Sequence, residues 1–196
     1  MTERVLFVGR TGSGKTLLAE RMLMYFPFVV VLDMKRRLEW EGYEIHQNLE
    51  SLSRSEHTHL IYKPSWEEQR PPRGEHWSQH VEDFFRWSYE RGNNVIYVDE
   101  VMRCTHGDDM PEYYHAAITT GRELYVPVWS ATQRPKKIPQ VLLSETEHFF
   151  AFDLQLAQDE ERMQEFAEVT LPSRTGHAFV YVKRGMNAAR KFILVP

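Results

Sequence analysis

Short apolar runs alternate with amphipathic stretches along the chain. Val5-Leu6-Phe7-Val8 is a continuous apolar run ahead of a glycine-rich segment and reads as a buried strand. Lys15–Tyr25 follows as a helix, with Leu18, Met22 and Tyr25 on one face and Pro27 as its stop. Phe28–Leu32 is a second buried strand, rich in β-branched residues, and His59–Tyr62 a third. Pro64, Pro71, Pro72 and Gly74 stand among charged residues, so Pro64–Glu75 reads as a surface loop. Gln79–Arg91 carries Val81, Phe84, Phe85 and Tyr89 near one helical face, and Gly92-Asn93-Asn94 ends it. Strands are expected at Val95–Val98, Val126–Trp129 and Phe149–Phe152, and helices at Pro111–Thr120 and Ala157–Ala167. Phe179–Val182 and Phe192–Val195 are expected to pair as terminal strands joined through Gly185 and Asn187. Strands alternating with helices predict an α/β fold with a mostly parallel sheet. No repeat, low-complexity tract or linker divides the chain, so residues 1–196 are expected to form one domain.

Composition narrows this picture only a little. A chain of 196 residues can bury a core without disulfides, and the lone Cys104 excludes an internal disulfide framework. The longest strongly apolar stretch, Phe26–Leu32, falls far short of the ~20 residues that span a bilayer. The first residues do not form a signal peptide, because Gly9 and Arg10 interrupt the short apolar run. A soluble, cytoplasmic protein without membrane insertion is expected. The net charge of −4 excludes a generally basic nucleic-acid coat, yet leaves room for a local basic loop.

The chemistry sits at three strand ends. Gly9-Arg10-Thr11-Gly12-Ser13-Gly14-Lys15-Thr16 matches Gly-x-x-x-x-Gly-Lys-Thr in full, between a buried strand and a helix. Glycines let the backbone curl so that several N–H groups point at one anion, and the helix N-terminus adds its dipole. Lys15 is expected to reach the β- and γ-phosphates of ATP, and Thr16 to ligate Mg²⁺. Val95–Val98 then ends in Asp99 and Glu100. Asp99 suits the Mg²⁺, and Glu100 suits activation of an attacking water, which favours a hydrolase over a small-molecule kinase. The third run ends in Ser130-Ala131-Thr132-Gln133-Arg134-Pro135, where Gln133 is placed to report a γ-phosphate or orient the water.

Taken in order, these segments resemble the FtsK–HerA superfamily of P-loop DNA-translocating ATPases. Ala131-Thr132-Gln133-Arg134-Pro135 is similar to the end of that family's sensor strand, and Asp33-Met34-Lys35 to its Asp-x-Lys segment. The resemblance covers roughly Arg4 to Phe152 and implies a RecA/ASCE-like P-loop NTPase fold. It also implies a homo-oligomeric ring, hexamer or pentamer, around double-stranded DNA. Arg122 resembles the arginine such motors insert into a neighbour's site, with Arg134 and Arg10 as alternatives. The stripped core looks like the genome-packaging ATPases of membrane-containing viruses. A capsid vertex or portal partner, DNA binding without sequence specificity, and a location in the host cytoplasm or on the virion follow from that resemblance.

Other signals are ambiguous. Lys136-Lys137 and Lys35-Arg36-Arg37 would face DNA or only solvent, and Lys183, Arg184, Arg190 and Lys191 flank the terminal hairpin. His76 and His80 have helical spacing, and His57 lies near His59, but no cysteine cluster accompanies them. Plasmid transfer, phage extrusion, a small-molecule kinase and a non-hydrolysing nucleotide switch remain alternatives to genome packaging.

Overall fold

The computed structural model describes residues 3–195. The limits of the expected domain at 1 and 196, and the first two residues of the N-terminal reading, lie outside the described residues. The described chain runs β1 (Val5–Val8), α1 (Lys15–Leu23), β2 (Val29–Leu32), β3 (Glu44–His46), α2 (Leu49–Arg54), β4 (His59–Tyr62), α3 (Gln79–Arg91) and β5 (Val95–Val98). It continues with α4 (Glu112–Thr120), β6 (Val128–Thr132), α5 (Gln140–Glu145), β7 (His148–Ala151), α6 (Ala157–Ala167), β8 (Ala178–Lys183) and β9 (Arg190–Ile193). Short 3-10 turns follow β5 at Val101–Arg103 and β6 at Pro135–Lys137.

All nine strands form one sheet in the order β3-β4-β2-β5-β6-β1-β7-β8-β9. The seven strands from β3 to β7 pair parallel, and β8 and β9 close one edge antiparallel. Parallel strands buried on both faces are continuously apolar, which is why these runs stood out in the sequence. Successive side chains point to opposite faces. Leu6, Val8, Val30, Leu32, Leu60, Tyr62, Ile96 and Val98 pack under α2 to α6. Val5, Phe7, Val29, Val31, Val95 and Tyr97 pack on the other face beneath α1, Leu38 and Trp40.

The α/β expectation and most elements hold, with shifts that have physical causes. The strand expected at 126–129 starts at Val128, because Pro127 has no N–H and gives only its carbonyl, to Ile96 N. It then runs on through Ser130, Ala131 and Thr132, small residues fully buried between β5 and β1. Helix α1 ends at Leu23, two residues early, and Tyr25 is 85 % exposed instead of facing the core. Its core face is Leu18, Ala19 and Leu23. The last strand is Arg190–Ile193, two residues before the expected span, because Ala178 opposes Ile193. Helix α3 has the expected span, capped by Ser78 Oγ accepting from Val81 N and closed by Gly92 at φ 64°. The elements β3, α2 and α5 went unread, being three to six residues long and too short for a periodic signal.

Candidate nucleotide site

Strand β6 lies between β1 and β5, so the three chemically marked strand ends sit side by side. Val8 is level with Thr132, and Val98 with Ser130, so residues 9–16, 99–100 and 133 emerge at one edge. This is the carboxyl edge, where ligands of open parallel sheets bind.

The glycine-rich loop is shaped for an anion. Gly9, Gly12 and Gly14 all have positive φ, and at Gly14 this carries the chain straight into α1. A Cβ at Gly9 would lie 2.6 Å from Phe152 Cβ, whereas one at Gly12 would meet nothing within 4 Å. The loop is thus packed against β7 on one side and open on the other. Helix α1 has no side-chain cap and no acid in its first turn, so nothing from the helix itself competes for an anion at its N-terminus.

Lys15 is buried and donates from Nζ to Gly9 O at 2.6 Å and Arg10 O at 2.9 Å. Burial pushes its ammonium down to about 8, against the attraction of Glu100 and Asp99. Holding that charge costs about 3 kcal/mol, a cost that a phosphate in the loop would offset. Thr16 Oγ1 donates to Asp99 Oδ1 at 2.9 Å, and Tyr97 Oη donates to the same oxygen at 3.3 Å. A hydroxyl and a carboxylate side by side are the hard oxygen donors that Mg²⁺ takes.

Glu100 completes the cluster. Its Oε2 accepts from Gln133 Nε2 and pairs with Lys35 Nζ, each at 3.0 Å. Its Oε1 is buried without a partner, which suits a carboxylate that will take a water proton. Gln133 Oε1 in turn accepts from Thr11 Oγ1 at 2.9 Å, so one side chain bridges the loop and the acid strand. The loop residues Gly9, Arg10, Thr11, Gly12, Ser13, Gly14, Lys15 and Thr16 therefore meet Asp99, Glu100 and Gln133 in one place. The buried Ser13 Oγ, also without a partner, lies in this loop.

No protein-family model matches the chain. A DNA packaging ATPase of Enterobacteria phage PRD1 is 26 % identical over 179 residues, covering 86 % of this chain and 72 % of that protein. The genome packaging NTPase of Sulfolobus turreted icosahedral virus 2, in complex with AMPPCP, superposes with a TM-score of 0.79 at 12 % identity. That match covers 100 % of this chain and 99 % of the other. The pCW3 conjugation coupling protein, in a monomer form with ATPγS, superposes with a TM-score of 0.63 at 14 % identity. It covers 98 % of this chain and 60 % of the other.

The chain shares the fold of the viral genome-packaging NTPases, and its sequence is similar to that of a phage DNA packaging ATPase.

Lys35, which the sequence left ambiguous with Arg36 and Arg37, joins this cluster. Asp33, fully buried, accepts from Lys35 N and Leu38 N and so turns the chain at the end of β2. Since Leu32 is level with Val98, the turn delivers Lys35 Nζ to Glu100 and to within 3.6 Å of Asp99 Oδ2. The signal was available: a lysine just past a strand that neighbours the acid-bearing strand. Arg36 instead turns away and donates to Lys63 O, and Arg37 is exposed.

Arg122 is not brought to the glycine-rich loop of its own chain. It lies ahead of β6, at the opposite edge of the sheet, where it pairs with Glu147. The two alternative arginines are engaged near the loop, Arg10 with Asp153 and Arg134 with Asp159. Lys136 and Lys137 are exposed on the 3-10 turn after β6. Phe84 and Phe85 are core residues under the sheet, while Trp66 is 61 % exposed. His76 stacks on His106 with ring centroids 4.0 Å apart, and His80 faces Glu68. Among the described residues, no helix is long and apolar enough to cross a membrane.

Proposed function

We propose that this chain is the ATP-hydrolysing motor that drives double-stranded DNA into a preformed viral capsid. The observation that carries the reading is the convergence of Lys15, Thr16, Asp99, Glu100 and Gln133 at one strand edge. The phage relative is named a DNA packaging ATPase, which favours a genome as the cargo.

In this reading the loop N–H groups and Lys15 hold the β- and γ-phosphates, and Lys15 releases its two carbonyl partners to do so. Thr16 and Asp99 would hold Mg²⁺, which neutralises phosphate charge when bound. Glu100 Oε1 takes the proton of a water that attacks the γ-phosphorus in line. Gln133 orients that water or the γ-oxygen while tied to Glu100 and Thr11. Arg122 lies across the sheet from its own loop, so its place in the chemistry is a neighbour's site, in a ring of five or six subunits. An arginine supplied in this way accelerates phosphoryl transfer by about 10³–10⁵. DNA would pass the ring without sequence-specific contacts, and the ring would dock at a capsid vertex or portal, in the host cytoplasm or on the virion. One ATPase domain, residues 1–196, would carry all of this.

The likeness to a conjugation coupling protein favours a second reading, in which the same motor moves plasmid DNA.

The test is Mg²⁺-dependent ATP turnover against protein concentration, with and without double-stranded DNA, beside Glu100→Gln. Turnover per subunit that rises with concentration and with DNA, and vanishes in the variant, supports a ring motor. A flat, DNA-indifferent rate overturns it in favour of a kinase or a nucleotide switch.

A further inference from the structure

Helix α6 has one anomalous position. Its buried residues are Asp159, Met163 and Ala167, a single stripe at four-residue spacing. Two of these belong to the core, and the third is a carboxylate only 1 % exposed. An acid in the first turn of a helix is favourable, but the favourable charge–dipole contact is available at the surface and does not require burial. If anchoring α6 were the only demand, an apolar side chain would fill this core position at no desolvation cost.

Both oxygens of Asp159 are directed at one short segment. Oδ2 accepts from Arg134 Nε at 2.7 Å, and Oδ1 accepts from Lys136 N at 3.0 Å. Arg134 N donates to Thr132 Oγ1 at 3.2 Å, and Thr132 O accepts from Gly9 N at 3.2 Å. Gln133 therefore stands between two anchored neighbours. Thr132 is tied to the phosphate loop, and Arg134 to Lys136 are tied to α6. A glutamine on an unanchored turn would sample several rotamers. Here it reaches both Glu100 and Thr11. The helix end supplying the anchor is itself braced, since Glu160 binds Arg174 at 2.6 and 2.9 Å and Arg174 Nε donates to Phe152 O.

We infer that Asp159 is a positioning residue of the nucleotide site: it holds the 134–136 turn so that Gln133 meets the γ-phosphate and Glu100 in register. The inference rests on the reading of Gln133 as the γ-phosphate sensor. Asp159 acts through Arg134 and the Lys136 amide. The same clamp links the sensor to the exposed Lys136, whose Nζ donates to Gln158 on α6.

The test is Asp159→Asn in the full chain. Asparagine keeps the shape but offers one acceptor and one donor where both partners are donors, so one of the two contacts fails. Four quantities are measured: kcat, KM for ATP, and the affinities for AMPPCP and for ADP. The expected result is a kcat lower on the order of 10²-fold, as for a misplaced group in a reacting site. ADP affinity stays within about twofold, and the preference for AMPPCP over ADP falls, because only the γ-phosphate contact is loosened. Arg134→Gln, at a side chain 31 % exposed, gives the same pattern should Asp159→Asn fail to fold. The double variant is no worse than either single one, because both break one link.

A folded Asp159→Asn that retains wild-type kcat and nucleotide preference overturns the inference. So do losses of kcat and of both affinities that merely track the folded fraction, or losses that add in the double variant. If the wild-type chain shows no turnover sensitive to Glu100→Gln, the hydrolase reading fails separately. The AMPPCP-to-ADP preference still decides the role of Asp159.

Discussion

The side-chain amide of Gln133 donates to the carboxylate of Glu100 at 3.0 Å, across 33 positions of sequence. The same side chain accepts from Thr11 in the phosphate loop. One residue thus ties together the glycine-rich loop after β1 and the acid pair at the end of β5. Replacing Gln133 with alanine removes both ties and leaves Lys15, Thr16 and Asp99 in place. The expected outcome is a kcat lower by about 10²–10³-fold, the typical loss for a donor aimed at developing charge. KM for ATP should change little. Steady-state turnover beside equilibrium nucleotide binding checks this, and an unchanged kcat would refute a role for Gln133.

Lys15 and Arg122 lie at opposite edges of the sheet, so if both act on one nucleotide they come from different subunits. Lys15→Ala should abolish turnover by removing the phosphate ligand. Arg122→Ala should leave nucleotide binding intact and reduce turnover by about 10³-fold or more. Mixing the two inactive variants creates interfaces that pair a good loop with a good arginine, so part of the activity should return. A mixture as inactive as its components would remove Arg122 from the site.

Gly9 is tested through stability. A side chain there faces Phe152 Cβ at 2.6 Å, with the Phe152 backbone Cα at 3.3 Å and φ at +150°. Neither β1 nor β7 can yield, because both are hydrogen-bonded into the centre of the sheet. Gly9→Ala is expected to destabilise the fold by about 1–3 kcal/mol through strain and overpacking. Gly12→Ala, with open space at its Cβ, should cost less. Denaturant midpoints of the two variants check the order.

Cys104 reports unfolding. It is fully buried, its Sγ donates to Val101 O, and burial pushes its thiol well above the ordinary cysteine value. The unfolded thiol ionises near ~8.5 while the folded one keeps its proton. The native state therefore binds more protons above that pH, and this group's contribution to stability is full below about 8.5 and lost as pH rises beyond it. Iodoacetamide at neutral pH should leave the folded protein unmodified and label it only as it unfolds. Rapid labelling under native conditions would show that the helix-side core opens locally.

Much of the fold was legible because parallel strands buried on both faces must be apolar throughout. Val5–Val8, His59–Tyr62 and Val95–Val98 have the bounds the runs suggested, and α3 and α6 have their periodic spans. The phosphate loop was legible for a related reason. Its chemistry comes from a contiguous segment whose backbone shape demands glycine at fixed spacing, so the motif and the site are nearly the same object.

The remaining features depend on strand order, which no local pattern encodes. Inserting β6 between β1 and β5 is what sets Gln133 against both Glu100 and Thr11. Pairing β2 with β5 is what moves Lys35 from an unassigned basic cluster to the acid pair. Packing α6 beside the 135–137 turn is what makes Asp159, one acid among several in its helix, a buried clamp on Arg134. The sequence alone determined which residues had the chemistry for phosphate, metal and water, because that chemistry resides in residue type and short spacing. The tertiary structure decided which of them act together, because hydrogen bonds and ion pairs form only over a few ångströms. Those distances are set by the hydrogen-bonded order of strands far apart in the chain.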